Sequence, residues 1–435
     1  MDDEMKIGSE IKKAKSYRYI VFAIMALTYV MVYFHRTCPA VIAVDIQNYF
    51  RVSGTLLGLL SSAYFYPYAI MQLPTGLLVD SWGARKTVSS FMILAALGSV
   101  MMGLTSILGL AILGRVLVGI GVSTVFVSNF KLLTEWFEPR KFAVMGGIFM
   151  AMGGVGVLLS TAPLAWMSNL IGWQMTFVAV GVLSLIMASL VYKFVSDRPS
   201  DKGWPAVVSS PKDHAAPSIG LLKGLKMVII EKRFWPIAVW SFCVLGIFFS
   251  LAGLWGGPFL IHTYGLSKTS AGAVLSMSAV GLVIGSPFLG IMSDHFGRKP
   301  VLVGANLLLI MVCGAFYRFT DRLPHVLLYV LFFSLCLSTT AIAPVIVAYT
   351  KELFPAGVAG TAVGLVNLFP FLGGPFYQVI FGAVLSGGAK EGGVYPVTSY
   401  QAIFLICLVS AMISMVIALL FRETLSQKAS ETSHD

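Results

Sequence analysis

The stretch at residues 76–86 reads GLLVDSWGARK, and the stretch at residues 290–299 reads GIMSDHFGRK. Both follow an apolar run, and the spacings from glycine to aspartate and from aspartate to glycine are the same. The two aspartates are 214 residues apart. A second pair of segments, TEWFEP at 134–139 and KELFP at 351–355, repeats at nearly the same offset. A repeat of this length indicates that the chain consists of two related halves.

The composition of the chain excludes an ordinary soluble protein. Of its 435 residues, 57% are hydrophobic and only 11% are charged. A soluble domain carries about 25% charged residues, because its surface faces water. The composition therefore excludes a soluble enzyme, a nucleic-acid-binding domain and a disordered chain. It predicts a helical protein that crosses a membrane many times.

Twelve apolar runs lie between charged or turn-rich segments, and a transmembrane helix needs about 20 mostly apolar residues. The predicted spans are 19–44, 54–79, 87–106, 109–134, 142–165, 171–194, 235–261, 270–292, 300–317, 325–350, 357–386 and 399–421. Cytoplasmic loops are enriched in Lys and Arg. With a cytoplasmic N-terminus, 22 of the 30 Lys and Arg residues fall on the cytoplasmic side and 5 on the outer side. Both termini are therefore predicted to be cytoplasmic, and topology accounts for the net charge of +11.

One long polar segment divides the series of spans. It gives an N-terminal six-helix bundle at 1–194, a cytoplasmic linker at 195–233, and a C-terminal six-helix bundle with a short cytoplasmic tail at 234–435. The predicted fold is all-α and integral to the membrane, with twelve transmembrane helices in two pseudo-symmetric six-helix bundles.

With these features the sequence resembles the major facilitator superfamily of secondary transporters. The signature of that family, GxxxD-x-x-G-x-[RK]-[RK], is met at 76–86 and echoed at 290–299. The segment RVLVGIG at 115–121 looks like a further motif of the family. The resemblance covers the whole chain. It implies a transporter that works by rocker-switch alternating access and not an enzyme.

The signature residues are expected to act in gates and not as substrate ligands. Glycine permits a tight turn and a close approach of helices. Aspartate caps a helix start or pairs with Arg or Lys across the loop. The predicted gating residues are Gly76, Asp80, Gly83, Arg85, Arg115, Asp294, Gly297 and Arg298.

Charged side chains inside predicted spans are the main candidates for a substrate site, since each costs about 2.5–3.5 kcal/mol to insert. Arg36 lies near the middle of span one, beside His35. No acidic residue lies deep in another span, which favours a guanidinium that binds an anion in its fork geometry over a structural salt bridge. His35 is expected to orient Arg36, to accept a coupling proton, or to form a hydrogen bond between helices.

Lys131 lies in span four near its cytoplasmic end. It is expected either to contact the substrate or to extend its ammonium group to the membrane surface. Glu135, one turn further along, is expected to pair with Lys131. The candidates for proton coupling are His35, Glu135 and Asp45, the last near the outer end of span one.

The second half contributes no cation to the predicted substrate site, because the repeat offset maps Arg36 and Lys131 onto apolar or small residues. It offers aromatic and polar side chains instead. In the first half, Tyr64 and Tyr68 share one helix face and are expected either to reach a cavity or to form hydrogen bonds between helices. The predicted substrate-binding residues are Arg36, Lys131, Tyr64, Tyr68, Trp255, Tyr349, Tyr377 and Asn367.

An Arg and a Lys at one site favour a small organic anion, a carboxylate or a phosphate ester, over a cationic drug. Their positions are similar to those of basic residues in the organic-anion branches of the superfamily, the anion:cation symporters and the organophosphate:phosphate antiporters. The alternative is a transporter or exporter of a zwitterionic amino acid, a short peptide or a metal chelate. A non-transporting sensor and a membrane-embedded enzyme are less favoured.

No cofactor, resident metal or nucleic acid is expected to bind. The five cysteines lie in apolar stretches without a CxxC pattern, so they are expected to be buried thiols. The expected partners are a small-molecule substrate and the lipid bilayer. The protein is expected to be a multi-pass monomer in a bacterial inner (plasma) membrane.

Overall fold

The computed structural model describes residues 2–205, 221–342, 345–388 and 393–424, and all secondary-structure elements in these ranges are helices. The middle of the predicted linker (206–220), Lys390 and the tail after residue 424 lie outside the described residues. The first nine helices are α1 (Asp2–Thr37), α2 (Pro39–Phe50), α3 (Gly54–Ser62), α4 (Phe65–Trp82), α5 (Ala84–Leu104), α6 (Leu108–Val122), α7 (Val125–Trp136), α8 (Pro139–Leu159) and α9 (Ala162–Phe194). The next nine are α10 (Leu221–Ile230), α11 (Phe234–Ser250), α12 (Gly256–Tyr264), α13 (Lys268–Phe296), α14 (Arg298–Arg318), α15 (His325–Thr339), α16 (Val345–Leu353), α17 (Ala356–Gly387) and α18 (Val397–Leu420).

Nine helical stretches in the described residues are long and apolar enough to cross a membrane. The predicted spans two, five and ten coincide with shorter or interrupted helices: α3 with α4, α8, and α15 with α16. The helix of spans five and six, α9, changes direction at Gly172, which has a φ of 80°. Glycine tolerates this conformation because it has no Cβ. The structure thus gives a helical protein with many spans, and the number twelve stays a prediction.

The described residues form two compact units. The first comprises the described residues of 1–36, 63–160 and 167–215, and the second those of 37–62, 161–166 and 216–435. The segment from α2 to α3 therefore belongs with the second unit, although it lies in the first half of the sequence. The boundaries of the two six-helix bundles were predicted from the sequence repeat, and they stay a prediction.

In the first unit, glycines set the spacing between α5 and α6. A Cβ on Gly114 would lie 2.7 Å from the carbonyl oxygen of Gly98, and a Cβ on Gly121 would lie 2.6 Å from that of Phe91. Only a residue without a side chain allows backbones this close, and such contacts are a usual basis of helix packing in membranes. Glycine therefore fixes how α6 lies on α5.

In the second unit, glycines allow the segment from α2 to α3 to pack closely against α12 and α17. Gly257 of α12 faces the carbonyl oxygen of Ala40, so that a Cβ would overlap it. A Cβ on Gly58 of α3 would lie 2.5 Å from the carbonyl oxygen of Gln378. The π-helical segment Leu251–Trp255, which joins α11 to α12, lies in the same region. These contacts bury the segment against the second unit.

Candidate functional site

Arg36 is a buried cation at the end of α1. Its side chain is 2% exposed. The guanidinium carbon lies 4.5 Å from the ring centre of Tyr33 and 4.9 Å from that of Tyr68. The hydroxyls of Tyr64 and Tyr68 are within its hydrogen-bonding reach. Aromatic faces and hydroxyls stabilise a desolvated guanidinium. A guanidinium is also the side-chain group whose planar geometry matches a carboxylate.

The end of α1 follows from a proline. A helical residue 39 would donate its backbone N–H to the carbonyl oxygen of His35, but Pro39 has none. The freed oxygen accepts a hydrogen bond of 2.9 Å from Nη1 of Arg115, which is fully buried. The guanidinium of Arg115 also lies 5.1 Å from the ring centre of Tyr64. Arg115 therefore stabilises the helix end that carries Arg36. The position of Pro39, four residues after His35, is the sequence signal for this contact.

The predicted candidates His35, Tyr64 and Tyr68 lie beside Arg36 in the first unit. His35 is fully buried, and its Nε2 lies 3.3 Å from Oγ of Ser184 on α9. Tyr64 donates a hydrogen bond of 3.3 Å to the carbonyl oxygen of Val32. The rings of Tyr64 and Tyr68 are stacked, with centres 5.8 Å apart. Tyr64 thus forms the expected hydrogen bond between helices, and contact of either tyrosine with a substrate stays a prediction.

Lys131 has its contacts at the C-terminal end of α4. Its Nζ lies 2.5 Å from Oδ1 of Asp80 and 3.2 Å from the carbonyl oxygen of Val79. The last carbonyls of a helix and a carboxylate together attract an ammonium group. The pair that we expected between Lys131 and Glu135 does not form, because Glu135 lies 3.5 Å from Nε of Arg198. Tertiary partners outweigh the helical spacing at both residues.

The two signature loops turn at Gly83, with a φ of 82°, and at Gly297, with a φ of 100°. Each following helix begins against a carboxylate that the sequence analysis missed. Oδ1 of Asp197 accepts the backbone N–H of Arg85 at 2.8 Å. The carboxylate of Glu423 accepts those of Arg298 and Lys299, both at 3.0 Å. The signal was an acidic residue shortly after spans six and twelve.

Arg298 connects the second signature loop to neighbouring helices. Its Nη1 lies 2.6 Å from Oδ1 of Asp294, and its Nη2 lies 3.1 Å from Oε1 of Glu352 on α16. The repeat offset places Ala84 at the equivalent position in the first half, where Lys131 holds Asp80 instead. The predicted gating residues thus have contacts between elements in both loops. Gly76 is an exception, since none of the described residues lies within 4 Å of the position of its Cβ. Gly76 therefore makes no close helix approach here, contrary to expectation.

Glu138, which lies between α7 and α8, is a third acidic residue that the sequence analysis missed. Glu138 lies 3.0 Å from Nη1 of the buried Arg18 and 3.9 Å from Nζ of Lys15. Burial alone would raise the pKa of Glu138, but its backbone hydrogen bond and Arg18 outweigh burial, and the pKa is lowered. The carboxylate is therefore ionised at neutral pH, and it holds the N-terminal half of α1 against the start of α8.

The candidates of the second half do not form one cluster of free polar groups. Nε1 of Trp255 donates to the carbonyl oxygen of Gln378 at 2.9 Å, and Tyr377 donates to Oγ of Ser410 at 2.7 Å. The hydroxyl of Tyr349 accepts the backbone N–H of Arg422 at 3.2 Å, just beyond the C-terminal end of α18. Asn367 is half-buried on α17. Trp255 and Tyr377 thus hold helices together in this structure, and Tyr349 lies at the end of its span.

Asp45, the third candidate for proton coupling, lies on α2 in the second unit. Its Oδ2 is 2.6 Å from Nζ of Lys268 at the start of α13. Both side chains are largely shielded, at 29% and 19% exposure. An ion pair of this kind stabilises the contact between α2 and α13.

The fold and these motifs are those of a membrane transporter. A comparison with models of protein families gives the same class of protein. The model of the Major Facilitator Superfamily matches residues 25–259 and 256–434, so the chain belongs to that family. It is a multi-pass integral membrane protein that transports its substrate and is not an enzyme. The resemblance that the signature residues carry is therefore confirmed.

The chain is similar over most of its length to curated transporters and to solved transporter structures. The chain is 23% identical to the D-galactonate transporter of Escherichia coli O6:H1, over 88% of this chain and 93% of the relative. It is 22% identical to the hexuronate transporter of Escherichia coli K12, over 91% and 93%. Among solved structures, a bacterial homolog of the human lysosomal transporter Spinster, inward-facing and unoccupied, has a TM-score of 0.73 and 18% identity. That match covers 92% of this chain and 97% of the other. The structural likeness shows the fold.

Proposed function

We propose that the protein is a secondary active transporter of a small organic anion, and that a hydroxylated carboxylate is its substrate. The observation that carries the proposal is Arg36, a guanidinium that is 2% exposed and surrounded by tyrosines. Relatives whose names specify sugar acids support this substrate class. Arg36 would bind the carboxylate through two parallel hydrogen bonds, and the hydroxyls of Tyr64 and Tyr68 would contact the rest of the anion.

The proposed mechanism is rocker-switch alternating access by twelve spans, with both termini in the cytoplasm and the protein in a bacterial inner membrane. Lys131 is the proposed second cation of the substrate site. Because Lys131 is paired with Asp80, substrate contact would require it to exchange that carboxylate for the anion. His35, Glu135 and Asp45 are the proposed groups for proton coupling, and each has a polar partner that a change of protonation would disturb.

A ligand screen on the purified protein in detergent tests this proposal. The panel contains D-galactonate, D-glucuronate, sugar phosphates, dicarboxylates, amino acids, dipeptides and cationic drugs. A ligand that binds the folded state raises the apparent unfolding temperature by mass action. We expect a sugar acid to stabilise the wild-type protein and the control Arg322→Gln, but not Arg36→Gln. Stabilisation by zwitterions or cations alone, or equal shifts in all three proteins, would contradict the anion site.

The first signature loop gives a prediction with an internal control. Asp80→Asn removes the partner of Lys131, whereas Asp294→Asn leaves Arg298 paired with Glu352. We expect Asp80→Asn to lower the initial transport rate about tenfold, and Asp294→Asn to lower it about twofold, since a lost charge partner costs most where no second one remains. The measurement is initial-rate uptake into proteoliposomes at equal protein content. Equal rates for the two variants would show that the loops do not differ in this way.

A further inference from the structure

A polar cavity lies in the second unit, where the end of α2 meets the end of α17. Its volume is about 430 Å³, within the range of small-molecule sites. The residues that line it are Gln47, Asn48, Arg51, Val52, Ser53, Ser386, Gly388 and Tyr395. Six of these eight side chains carry a hydrogen-bonding group. The predicted topology places the cavity on the outer side of the membrane, away from the gating loops.

The walls of the cavity are held in place by contacts between distant parts of the chain. Nε2 of Gln47 donates to the carbonyl oxygen of Val52 at 3.1 Å and also to the hydroxyl of Tyr395. The backbone N–H of Thr55 donates to Oγ of Ser386 at 3.1 Å. Glycine contacts add to these, since a Cβ on Gly54 would lie 2.7 Å from the carbonyl oxygen of Gly382. The cavity is therefore a formed site, with one wall on the segment from α2 to α3 and the other on α17 and Tyr395.

Arg51 gives the cavity its charge. Its φ of 52° makes it the one non-glycine residue with a positive φ in the part of the chain that the structure describes. A residue with a Cβ adopts this left-handed conformation at a cost, and such residues are concentrated at functional sites. The Arg51 side chain is exposed, and within the described ranges it has no ion-pair partner. Asp45, an acid on the same helix, is engaged by Lys268.

We propose that this cavity is a second anion site, which binds a hydroxylated carboxylate at the outer mouth of the transporter. The Arg51 guanidinium attracts the carboxylate, and the hydroxyls of Ser53 and Ser386 and the amide of Asn48 contact its hydroxyl groups. Because the two walls belong to separate segments, an occupant bridges them and favours the state in which α2 and α3 are seated. The substrate class in this inference rests on the proposed function, whereas the charge and shape of the cavity do not.

Cysteine labelling tests the site without any need for transport. The five native cysteines are all buried. Asn48→Cys and, separately, Ser53→Cys place a reactive thiol in the cavity of the full-length protein. The measurement compares the labelling rate of an anionic methanethiosulfonate with that of a neutral one. A local positive potential raises the concentration of anions. We expect Arg51→Gln to reduce the ratio of anionic to neutral rate at least about threefold, and Arg51→Lys and the control Arg322→Gln to leave it unchanged.

Protection by D-glucuronate distinguishes a binding site from a general positive potential. We expect millimolar D-glucuronate to slow labelling more than chloride does at equal ionic strength, and to do so also in Arg36→Gln. Equal protection by chloride would overturn the proposal, as would an unchanged rate ratio in Arg51→Gln. Loss of protection in Arg36→Gln would also overturn it, because the effect would then arise at the central site. If D-glucuronate still slows labelling in Arg36→Gln, although that variant binds no ligand at Arg36, the result supports the cavity at Arg51 as a separate site.

Discussion

Replacing Arg36 with lysine is expected to abolish most transport, although the charge is conserved. The lysine ammonium is a point charge and cannot form two parallel hydrogen bonds with a carboxylate. It also loses the planar contact that the guanidinium makes with Tyr33 and Tyr68. Disruption of a buried charge pair costs about 2–5 kcal/mol, so we expect the initial rate at low substrate concentration to fall about 30-fold or more.

The measurement is uptake of the sugar acid identified by ligand screening, in proteoliposomes with matched protein content. Arg322→Lys is the control, because Arg322 is an exposed residue whose Nε lies 3.8 Å from the carboxylate of Asp321. Unfolding of Arg36→Lys in the absence of ligand is compared with that of the wild type, which separates loss of binding from loss of fold. Transport by Arg36→Lys within about twofold of the wild type would show that charge alone suffices, and it would remove the fork geometry from the proposed site.

The second large effect is expected from adding one methyl group to Gly257. The Cβ of Gly257→Ala would overlap the carbonyl oxygen of Ala40, so α12 and α2 cannot keep their present contact. The atom that the new Cβ would overlap belongs to the backbone, so a change of side-chain rotamer cannot relieve the overlap. We expect the segment from α2 to α3 to lose its packing against the rest of the second unit, and the Asp45–Lys268 ion pair to break. Transport should then fall about tenfold or more, because a transporter that cannot populate one of its states cannot complete a cycle.

Gly364→Ala is the matched control for Gly257→Ala. It makes the same chemical change on a long helix, but none of the described residues lies within 4 Å of the added Cβ. Alanine favours a helix over glycine by about 1 kcal/mol, so we expect this variant to be at least as stable as the wild type and to transport normally. The labelling rate of Asn48→Cys reports directly whether the segment from α2 to α3 is packed in place. We expect this rate to be higher when Gly257→Ala is also present. Unchanged labelling and transport in Gly257→Ala would mean that α2 and α12 adjust without consequence.

Much of this protein is predictable from local sequence. The apolar runs predicted helices at the observed places, because a chain in lipid must satisfy its backbone hydrogen bonds internally. The signature loops predicted turns at Gly83 and Gly297, and both glycines have positive φ. The isolation of Arg36 in an apolar run predicted a buried cation, since the side chain is too far from either surface to reach water.

Side-chain partners were less predictable, because they depend on contacts between distant segments. Helical spacing predicted a pair of Lys131 with Glu135, but Lys131 lies closer to Asp80 and the last carbonyls of α4. Asp197 and Glu423 were missed because each caps a helix more than a hundred residues away along the chain. The sequence also did not predict that the indole N–H of Trp255 donates to the carbonyl oxygen of Gln378.

The sequence by itself determined the fold class, the repeat, the turns and the burial of Arg36. These depend on hydrophobicity and on backbone conformation, which each residue contributes locally. Only the tertiary structure decided which carboxylate meets which cation, that Arg115 replaces the donor missing at Pro39, and that α2 and α3 pack with the second unit. In a membrane the apolar surroundings are similar everywhere, so hydrophobicity does not distinguish one helix neighbour from another. Close glycine contacts and a few hydrogen bonds make that choice, and they become visible only when the helices are packed.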